Sequence, residues 1–278
     1  MPELPEVETI RRDLEREVVG KRIKSVEATG MRTIRRHTSK KQFISKLEGA
    51  KITGITRKGK YLLMRLDTAD ILVVHLGMSG QLLRTVPKDA PIKHTHVVIS
   101  FTQGGQLRFI DPRTFGEMFV STPETLEDDA PELAELGFDP IEEPMSWTVF
   151  AERLVAKKTK LKALLMDQKF IAGLGNIYSD EILFTAGLRY DRSSETLSTQ
   201  EIRRLYRALV ETLHDAIKHR GSSLADEQYR DLFGEVGDYQ AQHKVYAREG
   251  EACRRCRAEI VRIKHGGRST FYCEQCQV

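Results

Sequence analysis

Residues 2–20 read PELPEVETIRRDLEREVVG, and this stretch decides how the fold begins. Apolar residues recur at the spacing of one helical face: Val7, Ile10, Leu14 and Val18. Gly20 then gives a stop signal. Pro5 suits the first helical turn, because its N–H is not needed there and its φ is already fixed. The stretch predicts an amphipathic helix over residues 4–19.

The start of this helix leaves Pro2 unexplained. Pro2 directly follows the initiator methionine, and Glu3 and Glu6 place two carboxylates at a spacing of three. Early acids favour the positive end of a helix dipole, but a proline at the second position gains nothing from that. Chain ends are usually loose and chemically idle. The reason for a proline at position 2 therefore stays open at this point.

Beyond the helix the pattern changes to short β-rich runs, from residue 22 to about residue 121. Runs of this kind cover residues 61–66, 71–76 and 96–101. Gln103-Gly104-Gly105-Gln106 separates the last of these from another run and gives a hairpin signal. We expect a strand-dominated domain with a leading helix, built as a two-sheet sandwich.

An acidic stretch with prolines, around residues 123–145, forms a boundary, and the signal after it is helical. Helices are predicted over 147–168, 177–186 and 198–219, and Ser198 to Glu201 has the capping-box pattern. The fold class predicted is α+β. The domains predicted are a helix and β-sandwich domain (1–122), an acidic linker (123–145), a helical domain (146–243) and a cysteine-bearing hairpin (244–278).

Composition fits an ordinary globular protein: of 278 residues, 40% are hydrophobic and 30% are charged. No apolar run approaches the roughly 20 residues that span a bilayer, and no signal-peptide pattern opens the chain. We therefore expect a cytoplasmic protein. The net charge is only +4, but basic residues cluster at 32–37, 157–162 and 254–268. Three separate clusters favour a phosphate-binding surface over simple solvated faces.

The four cysteines all lie near the end, as Cys253-x-x-Cys256 and Cys273-x-x-Cys276 with sixteen residues between the pairs. This spacing is typical of a tetrahedral structural zinc site. Two disulfides are the alternative, although four cysteines in an intracellular chain argue against them. The predicted zinc ion would stabilise a hairpin whose tip carries Gly266, Gly267 and Arg268. Arg268 is either a phosphate ligand or an exposed turn arginine.

A glycine-rich turn over residues 170–178 joins two of the predicted helices. Gly173 and Gly175 permit positive φ, and Asn176 is a good N-cap for a helix whose free N–H groups can bind an anion. Such a turn is also common as plain helix punctuation. The lysines of the 157–162 cluster are expected on the preceding helix, which fits a helix–turn–helix element on a phosphate backbone.

Four segments taken together resemble one known family: PELPEVE, GLGNIYSDE, VYAREG and GGRSTFYC. The chain is similar over its whole length to the bacterial formamidopyrimidine-DNA glycosylases, base-excision enzymes that remove 8-oxoguanine and ring-opened purines. The resemblance implies a helix–two-turn–helix in the helical domain and a β-hairpin zinc finger. It also implies double-stranded DNA with oxidised bases or abasic sites as the partner, bound between the domains by a monomer.

The resemblance further implies a catalytic set. The amine of Pro2, exposed by removal of Met1, would be the nucleophile of a glycosylase with AP lyase activity, acting through a Schiff base and β,δ-elimination. Glu3 would move protons at the sugar ring. Lys60 would contact the DNA at the lesion, and Arg268 would clamp a phosphate.

The implied DNA-binding set begins with Met78, Arg113 and Phe115, which would fill the gap left by the extruded base. Asn176 would clamp a phosphate. Glu6, with a supporting role, and His75 complete the set. On sequence alone Met78 and Phe115 are more typical of a core. The loop over the damaged base departs from the family pattern, because residues 234–240 read GEVGDYQ, with tyrosine where phenylalanine is usual.

Two other functions remain open at this point. An endonuclease VIII-type glycosylase would prefer oxidised pyrimidines, but that group typically has glycine in place of Leu4. A non-enzymatic zinc-finger DNA-binding protein would explain the basic clusters and the cysteines but would give Pro2 and Lys60 no role.

Overall fold

The computed structural model describes residues 1–224 and 228–278, which form two compact units. The N-terminal unit comprises residues 1–135 and 219–238, and the C-terminal unit comprises 136–218 and 239–278. Within the described ranges no helix is long and apolar enough to cross a membrane. The domain boundaries expected from the sequence stay a prediction.

In its described residues, the N-terminal unit contains one leading helix, eight strands and three short helices. In chain order these are α1 (Leu4–Val18), β1 (Ile23–Ala28), α2 (Lys40–Leu47), β2 (Ile52–Lys58), β3 (Tyr61–Leu66), β4 (Ile71–His75), β5 (Gln81–Thr85), β6 (Thr95–Phe101), β7 (Gln106–Ile110), β8 (Glu117–Ser121), α3 (Leu126–Asp129) and α4 (Pro131–Ala134). The leading helix and the strands predicted from the sequence are confirmed to within a residue or two.

The strands form two antiparallel four-stranded sheets, ordered β1-β6-β7-β5 and β2-β3-β4-β8. One apolar cluster joins residues of both sheets to α1, including Val26, Ile99, Leu62, Met64 and Leu14. Alternate strand residues face this shared core, because side chains of a strand point to opposite faces. The helix-plus-sandwich prediction is confirmed.

The C-terminal unit is mostly helical and ends in a hairpin. Its elements are α5 (Trp147–Ala156), α6 (Leu161–Met166), α7 (Asn176–Ala186), α8 (Thr199–Lys218), β9 (Val261–His265) and β10 (Arg268–Tyr272), with short 3-10 turns at Ser194–Thr196 and Tyr239–Gln242. The Ser198 capping box is present: Ser198 N donates to Glu201 Oε2 (2.8 Å) and Glu201 N donates to Ser198 Oγ (3.3 Å).

The single helix predicted over 147–168 is wrong, because α5 and α6 are separated at residues 157–160. Lys158 has a φ of +46°, which cannot continue a right-handed helix. Thr159 instead pairs with Ser194, whose N–H donates to the Thr159 carbonyl over 2.9 Å. This break is stabilised by a partner distant in sequence, so the local apolar pattern carries no sign of it.

Candidate active site

The N-terminal end of the chain is fixed at the start of α1. Glu3 is the N-cap residue and forms a reciprocal capping box with Glu6. Glu3 N donates to Glu6 Oε2 over 2.8 Å, and Glu6 Oε1 accepts from Ser222 N, also over 2.8 Å. Pro2, Glu3 and Glu6 are all buried, whereas Met1 is exposed. The spacing of three between the acids is therefore the spacing of a cap, and the cap holds Pro2 in a defined place.

Lys60 lies at the turn between β2 and β3, after Gly59, which has a φ of +56°. Arg57 anchors this turn: its Nη1 donates to the Gly59 carbonyl (3.1 Å) and its Nε donates to Glu8 Oε2 on α1 (3.0 Å). Burial alone would raise the pKa of Glu8, but the hydrogen bond from Arg11 and the charge of Arg57 lower it overall. A buried carboxylate and a buried guanidinium thus tie the Lys60 turn to the helix that carries Pro2.

Met78, Arg113 and Phe115 are all exposed, and Met78 and Phe115 are among the few large exposed hydrophobic residues. The Arg113 guanidinium carbon lies 5.1 Å from the centre of the Phe115 ring. The backbones that carry these residues are in direct contact, because a Cβ built on Gly77 would lie 2.5 Å from Gly116 N. The structure therefore brings the three residues to one exposed place, and Met78 and Phe115 lie outside the core.

Asp111, which is fully buried, organises the two segments that carry these residues. Its Oδ1 accepts from Ser79 Oγ (2.6 Å) and from Arg113 N (3.2 Å), and its Oδ2 accepts from Gly116 N (2.7 Å). An aspartate that receives hydrogen bonds from residues two and five positions ahead is a typical turn device. The Asp-Pro pair at residues 111–112 was the available sequence signal.

His75 is half-buried at the end of β4, where its ring stacks on Tyr61 with the centroids 4.5 Å apart. Burial lowers the pKa of His75 to about 4, with the charge of Glu117 opposing the change. The imidazole is therefore neutral at physiological pH.

Asn176 and Arg268 lie in the C-terminal unit. Gly175, not Asn176, is the N-cap of α7, so the predicted cap is displaced by one residue. Asn176 is the first helical residue, and its Nδ2 donates to the Ser269 carbonyl over 2.9 Å. Arg268 begins β10 and is exposed, directly after the Gly266-Gly267 turn. Asn176 and the Arg268 strand are thus joined by a hydrogen bond.

A buried ion pair holds the same strand. Lys162 Nζ lies 2.8 Å from Asp180 Oδ1, and both side chains are almost completely buried. Lys162 also donates to Thr270 Oγ1 (2.8 Å), while Asp180 Oδ2 accepts from Phe271 N (3.0 Å). Lys162 is therefore not a surface phosphate ligand, and the expectation that lysines 157–162 lie together on one helix is wrong. These lysines share neither one helix nor one environment.

The four cysteine Sγ atoms lie within 4.8 Å of one another, and all four are free thiols. The Sγ–Sγ distance is 3.8 Å for Cys253 and Cys276 and 3.4 Å for Cys256 and Cys273. A tetrahedral zinc with Zn–S bonds of about 2.3 Å has S–S edges of about 3.8 Å. The donor set and its dimensions therefore fit a metal ion, and the two-disulfide alternative does not fit.

Glu181 is a further buried carboxylate that the sequence reasoning missed. Its Oε1 accepts from Val245 N and Tyr246 N, both over 2.9 Å, and its Oε2 accepts from Lys244 N over 2.9 Å. It thereby fixes the start of the chain segment that leads to the cysteines. Nothing local in the sequence distinguishes Glu181 from an ordinary surface acid, because its partners lie more than sixty residues away.

Family models match most of the chain in three parts. They are the formamidopyrimidine-DNA glycosylase N-terminal domain over residues 1–118, the formamidopyrimidine-DNA glycosylase H2TH domain over 136–228, and the zinc finger found in FPG and IleRS over 250–278. The third match covers all four cysteines.

Relatives that match over the whole length of the chain are formamidopyrimidine-DNA glycosylases. The formamidopyrimidine-DNA glycosylases of Desulfitobacterium hafniense and Geobacillus kaustophilus are 41% and 43% identical over 279 and 277 residues, covering 100% of both chains in each pair. Among solved structures, the Lactococcus lactis Fpg in a complex with abasic-site DNA has a TM-score of 0.90 at 36% identity, covering 99% of each chain. The MutM (Fpg) protein of Thermus thermophilus has a TM-score of 0.88 at 38% identity, covering 99% of this chain and 98% of that one. With the fold, the cysteine cluster and the fixed N-terminal end agreeing, the chain belongs to the formamidopyrimidine-DNA glycosylase family.

Proposed function

We propose that the protein is a bifunctional DNA glycosylase and AP lyase of base-excision repair that removes oxidised purines, namely 8-oxoguanine and formamidopyrimidines. Membership of the family supports the glycosylase activity, and solved relatives are complexes with DNA that contains an abasic site or Fapy-dG. The observation that carries the proposal is the buried Pro2–Glu3 end, which the capping box with Glu6 holds in place.

The amine of Pro2 is the proposed nucleophile. Removal of Met1 converts an amide nitrogen into a secondary amine, and an α-amine has a pKa of about 8 against about 10.4 for lysine. A useful fraction is therefore neutral at physiological pH. The nitrogen forms a bond to the anomeric carbon as the base leaves with its bonding electrons and a proton.

Glu3 is the proposed acid and base at the sugar. It donates a proton to the ring oxygen as the sugar opens, which leaves an iminium ion on Pro2. The iminium accepts electrons, so loss of a proton from the next carbon expels the 3′ phosphate, and a second proton loss expels the 5′ phosphate. These steps are the β- and δ-eliminations of an AP lyase, and water later releases the sugar fragment from Pro2.

The remaining residues are proposed to hold the DNA. Lys60 contacts the strand at the lesion, Arg268 clamps a backbone phosphate with its guanidinium, and Asn176 clamps another. Extrusion of the base costs a few kcal/mol, which Met78, Arg113 and Phe115 offset by filling the vacated space, as wedge residues do. His75 supports them by packing. We further propose that the protein acts as a monomer on double-stranded DNA.

We propose that the metal held by Cys253, Cys256, Cys273 and Cys276 is one zinc ion. A zinc ion with four thiolate ligands has no open position for water, so its contribution is structural. It would stabilise the strand that carries Arg268, because a hairpin of this size has little core of its own.

Excision from paired substrates tests the substrate class. Duplexes with 8-oxoguanine opposite cytosine and with thymine glycol are each incubated with the purified protein, and the released base and the strand ends are analysed. The proposal predicts faster release of 8-oxoguanine and phosphate at both ends of the gap. Preference for thymine glycol would instead support an endonuclease VIII-type enzyme, and release of neither base would support a non-enzymatic DNA-binding protein.

A further inference from the structure

The segment after α8, residues 219–238, lies in sequence between the two parts of the C-terminal unit but belongs to the N-terminal unit. Its ends meet, because Asp238 N donates to the His219 carbonyl over 2.9 Å. Two residues of the sandwich bind it from outside: Arg84 N donates to the Leu232 carbonyl, and Gln81 Nε2 donates to the Gln228 carbonyl. The described parts of this segment are thus hydrogen-bonded to β5 of the sandwich.

Arg220, near the start of the segment, has a φ of +60°. This left-handed conformation is unfavourable for a non-glycine residue, so the surroundings must compensate for it. The Arg220 guanidinium lies between two carboxylates that are each 2% exposed, those of Asp13 on α1 and Asp231 within the segment. Two buried carboxylates need a cation nearby, because unpaired buried charge is strongly destabilising.

Asp231 also binds backbone further along the segment. Asp231 Oδ1 accepts from Phe233 N and Glu235 N, both over 2.9 Å, while Oδ2 accepts from Arg220 Nε over 2.9 Å. On the other side, Tyr229 Oη donates to the Arg220 carbonyl over 2.9 Å. Both the side chain and the main chain of Arg220 are therefore fixed.

The residues that follow Arg220 contact Glu6, which binds the Pro2–Glu3 end. Ser222 N donates to Glu6 Oε1, and the other Glu6 oxygen accepts from Glu3 N. Gly221 lies against the same carboxylate, since a Cβ there would be 2.6 Å from Glu6 Oε1. The backbone at 221–222 thus sets where the Glu6 carboxylate lies, and Glu6 sets where Glu3 lies.

We infer that Arg220 is a positioning residue for catalysis: by pairing with Asp13 and Asp231 it fixes the 221–222 backbone, which orients Glu6 and through it the Pro2–Glu3 end. This inference rests on the proposed role of Pro2 and Glu3. Arg220 acts through Glu6 and does not contact the reacting atoms.

Substitution of Arg220 by glycine separates the effect of the side chain on activity from the effect of the backbone strain. Arg220→Gly relieves the strain of the positive φ but removes both ion pairs. If only the backbone conformation of residue 220 mattered, the activity of this variant would be unchanged. We expect the single-turnover rate of 8-oxoguanine excision at saturating enzyme to fall by about tenfold to a hundredfold, the range typical of misplaced reacting groups. The Kd for a duplex with a reduced abasic site should stay within about twofold.

A second variant covers the case in which Arg220→Gly folds poorly because Asp13 and Asp231 lose their cation. Asp13→Asn with Asp231→Asn and Arg220→Gly removes all three charges together, and its rate should match that of Arg220→Gly, because effects within one network are not additive. Arg220→Lys should recover part of the rate, since it restores the charge but not the two-sided geometry.

A wild-type rate in the folded Arg220→Gly protein would overturn the inference. Rate and affinity falling together, in step with lost stability, would also overturn it, because that pattern indicates a merely structural role. If the wild-type protein itself neither excises the base nor forms a borohydride adduct, the proposed function fails instead. The wild-type control of the same experiment distinguishes that outcome.

Discussion

Gly77 allows close packing between the two segments that carry Met78 and Phe115. It has a φ of +63°, and a Cβ there would lie 2.5 Å from the backbone nitrogen of Gly116. We predict that Gly77→Ala destabilises the N-terminal unit by about 3 kcal/mol, combining strain with overpacking, and lowers excision by displacing Met78 and Phe115.

Gly104→Ala is the matched control for this substitution. Gly104 has a φ of +83°, but a Cβ at this position would meet no other atom within 4 Å, so only strain of about 1 kcal/mol is expected. Urea unfolding and excision assays of both variants provide the measurement. Equal losses for the two would show that close packing against Gly116 has no importance.

Arg268 is exposed and directly follows the turn between β9 and β10, which suits the proposed contact with a phosphate. Arg268→Ala should weaken binding to damaged and undamaged duplexes alike and reduce the salt dependence of log Kd by about one counterion. Arg207→Ala, which removes an exposed arginine from α8, should leave both quantities unchanged. A loss confined to damaged duplexes would contradict a phosphate-contact role.

Residues whose roles depend on local sequence were predictable, and those with distant partners were not. The spacing of the cysteines and the hairpin turn before Arg268 follow from short-range patterns. Lys162 looked like part of a basic cluster, yet Asp180 and β10 enclose it. Burial of that kind is decided by the packing of α6 against α7 and the hairpin, which no local pattern records.

The contact between the hairpin and α7 gives a pH prediction. Burial raises the pKa of Asp180 to about 7 from its ordinary value of 3.8, although the charge of Lys162 opposes the change. Between these pH values the folded protein holds a proton that the unfolded chain has lost. This contribution to stability is therefore complete below about pH 4 and is lost as the pH rises through about 7.

Asp180→Asn isolates this contribution. The free energy of unfolding of the wild type relative to this variant should fall between about pH 4 and pH 7, by at most about 1.4 kcal/mol per pH unit. Lys162→Met should extend the fall to higher pH, because the cation that favours the ionised form is gone. Parallel profiles for wild type and Asp180→Asn in urea unfolding would rule out the assigned proton.

Removal of the metal should disorder the hairpin. The apolar cluster around the cysteines is small, comprising residues such as Phe184, Val245, Ile260 and Phe271, so four uncoordinated thiols cannot maintain it. We predict that chelation releases one zinc ion per chain and abolishes DNA binding, and that added zinc restores both. Retention of DNA binding after verified zinc loss would contradict this.

Helices and strands with strong periodicity were predicted well, because α1 and the strands of the sandwich each bury one face against a common core. The break between α5 and α6 was not predicted. Thr159 in the break pairs with Ser194 of a later segment, so an apolar pattern that suits one long helix covers two helices.

The organisation of the whole chain differs from simple sequence order. Residues 219–238 return to the N-terminal unit after a long helix of the other unit. Composition marked the acidic stretch near residue 123 as a boundary, but the return rests on hydrogen bonds with Glu6, Arg84 and Gln81. This return allows the segment to support Glu6 and, through it, the Pro2–Glu3 end. A division of the sequence into contiguous domains does not predict such a contact.

Borohydride trapping of the covalent intermediate shows whether the amine of Pro2 is the nucleophile, as we claim. The protein, with removal of Met1 verified by intact mass, is mixed with an 8-oxoguanine duplex and borohydride, beside Pro2→Gly carrying one added N-terminal residue. We predict a covalent protein–DNA adduct that maps to Pro2 in the first sample and none in the second. An undiminished adduct in the second sample, or full activity in a preparation that retains Met1, would contradict the claim.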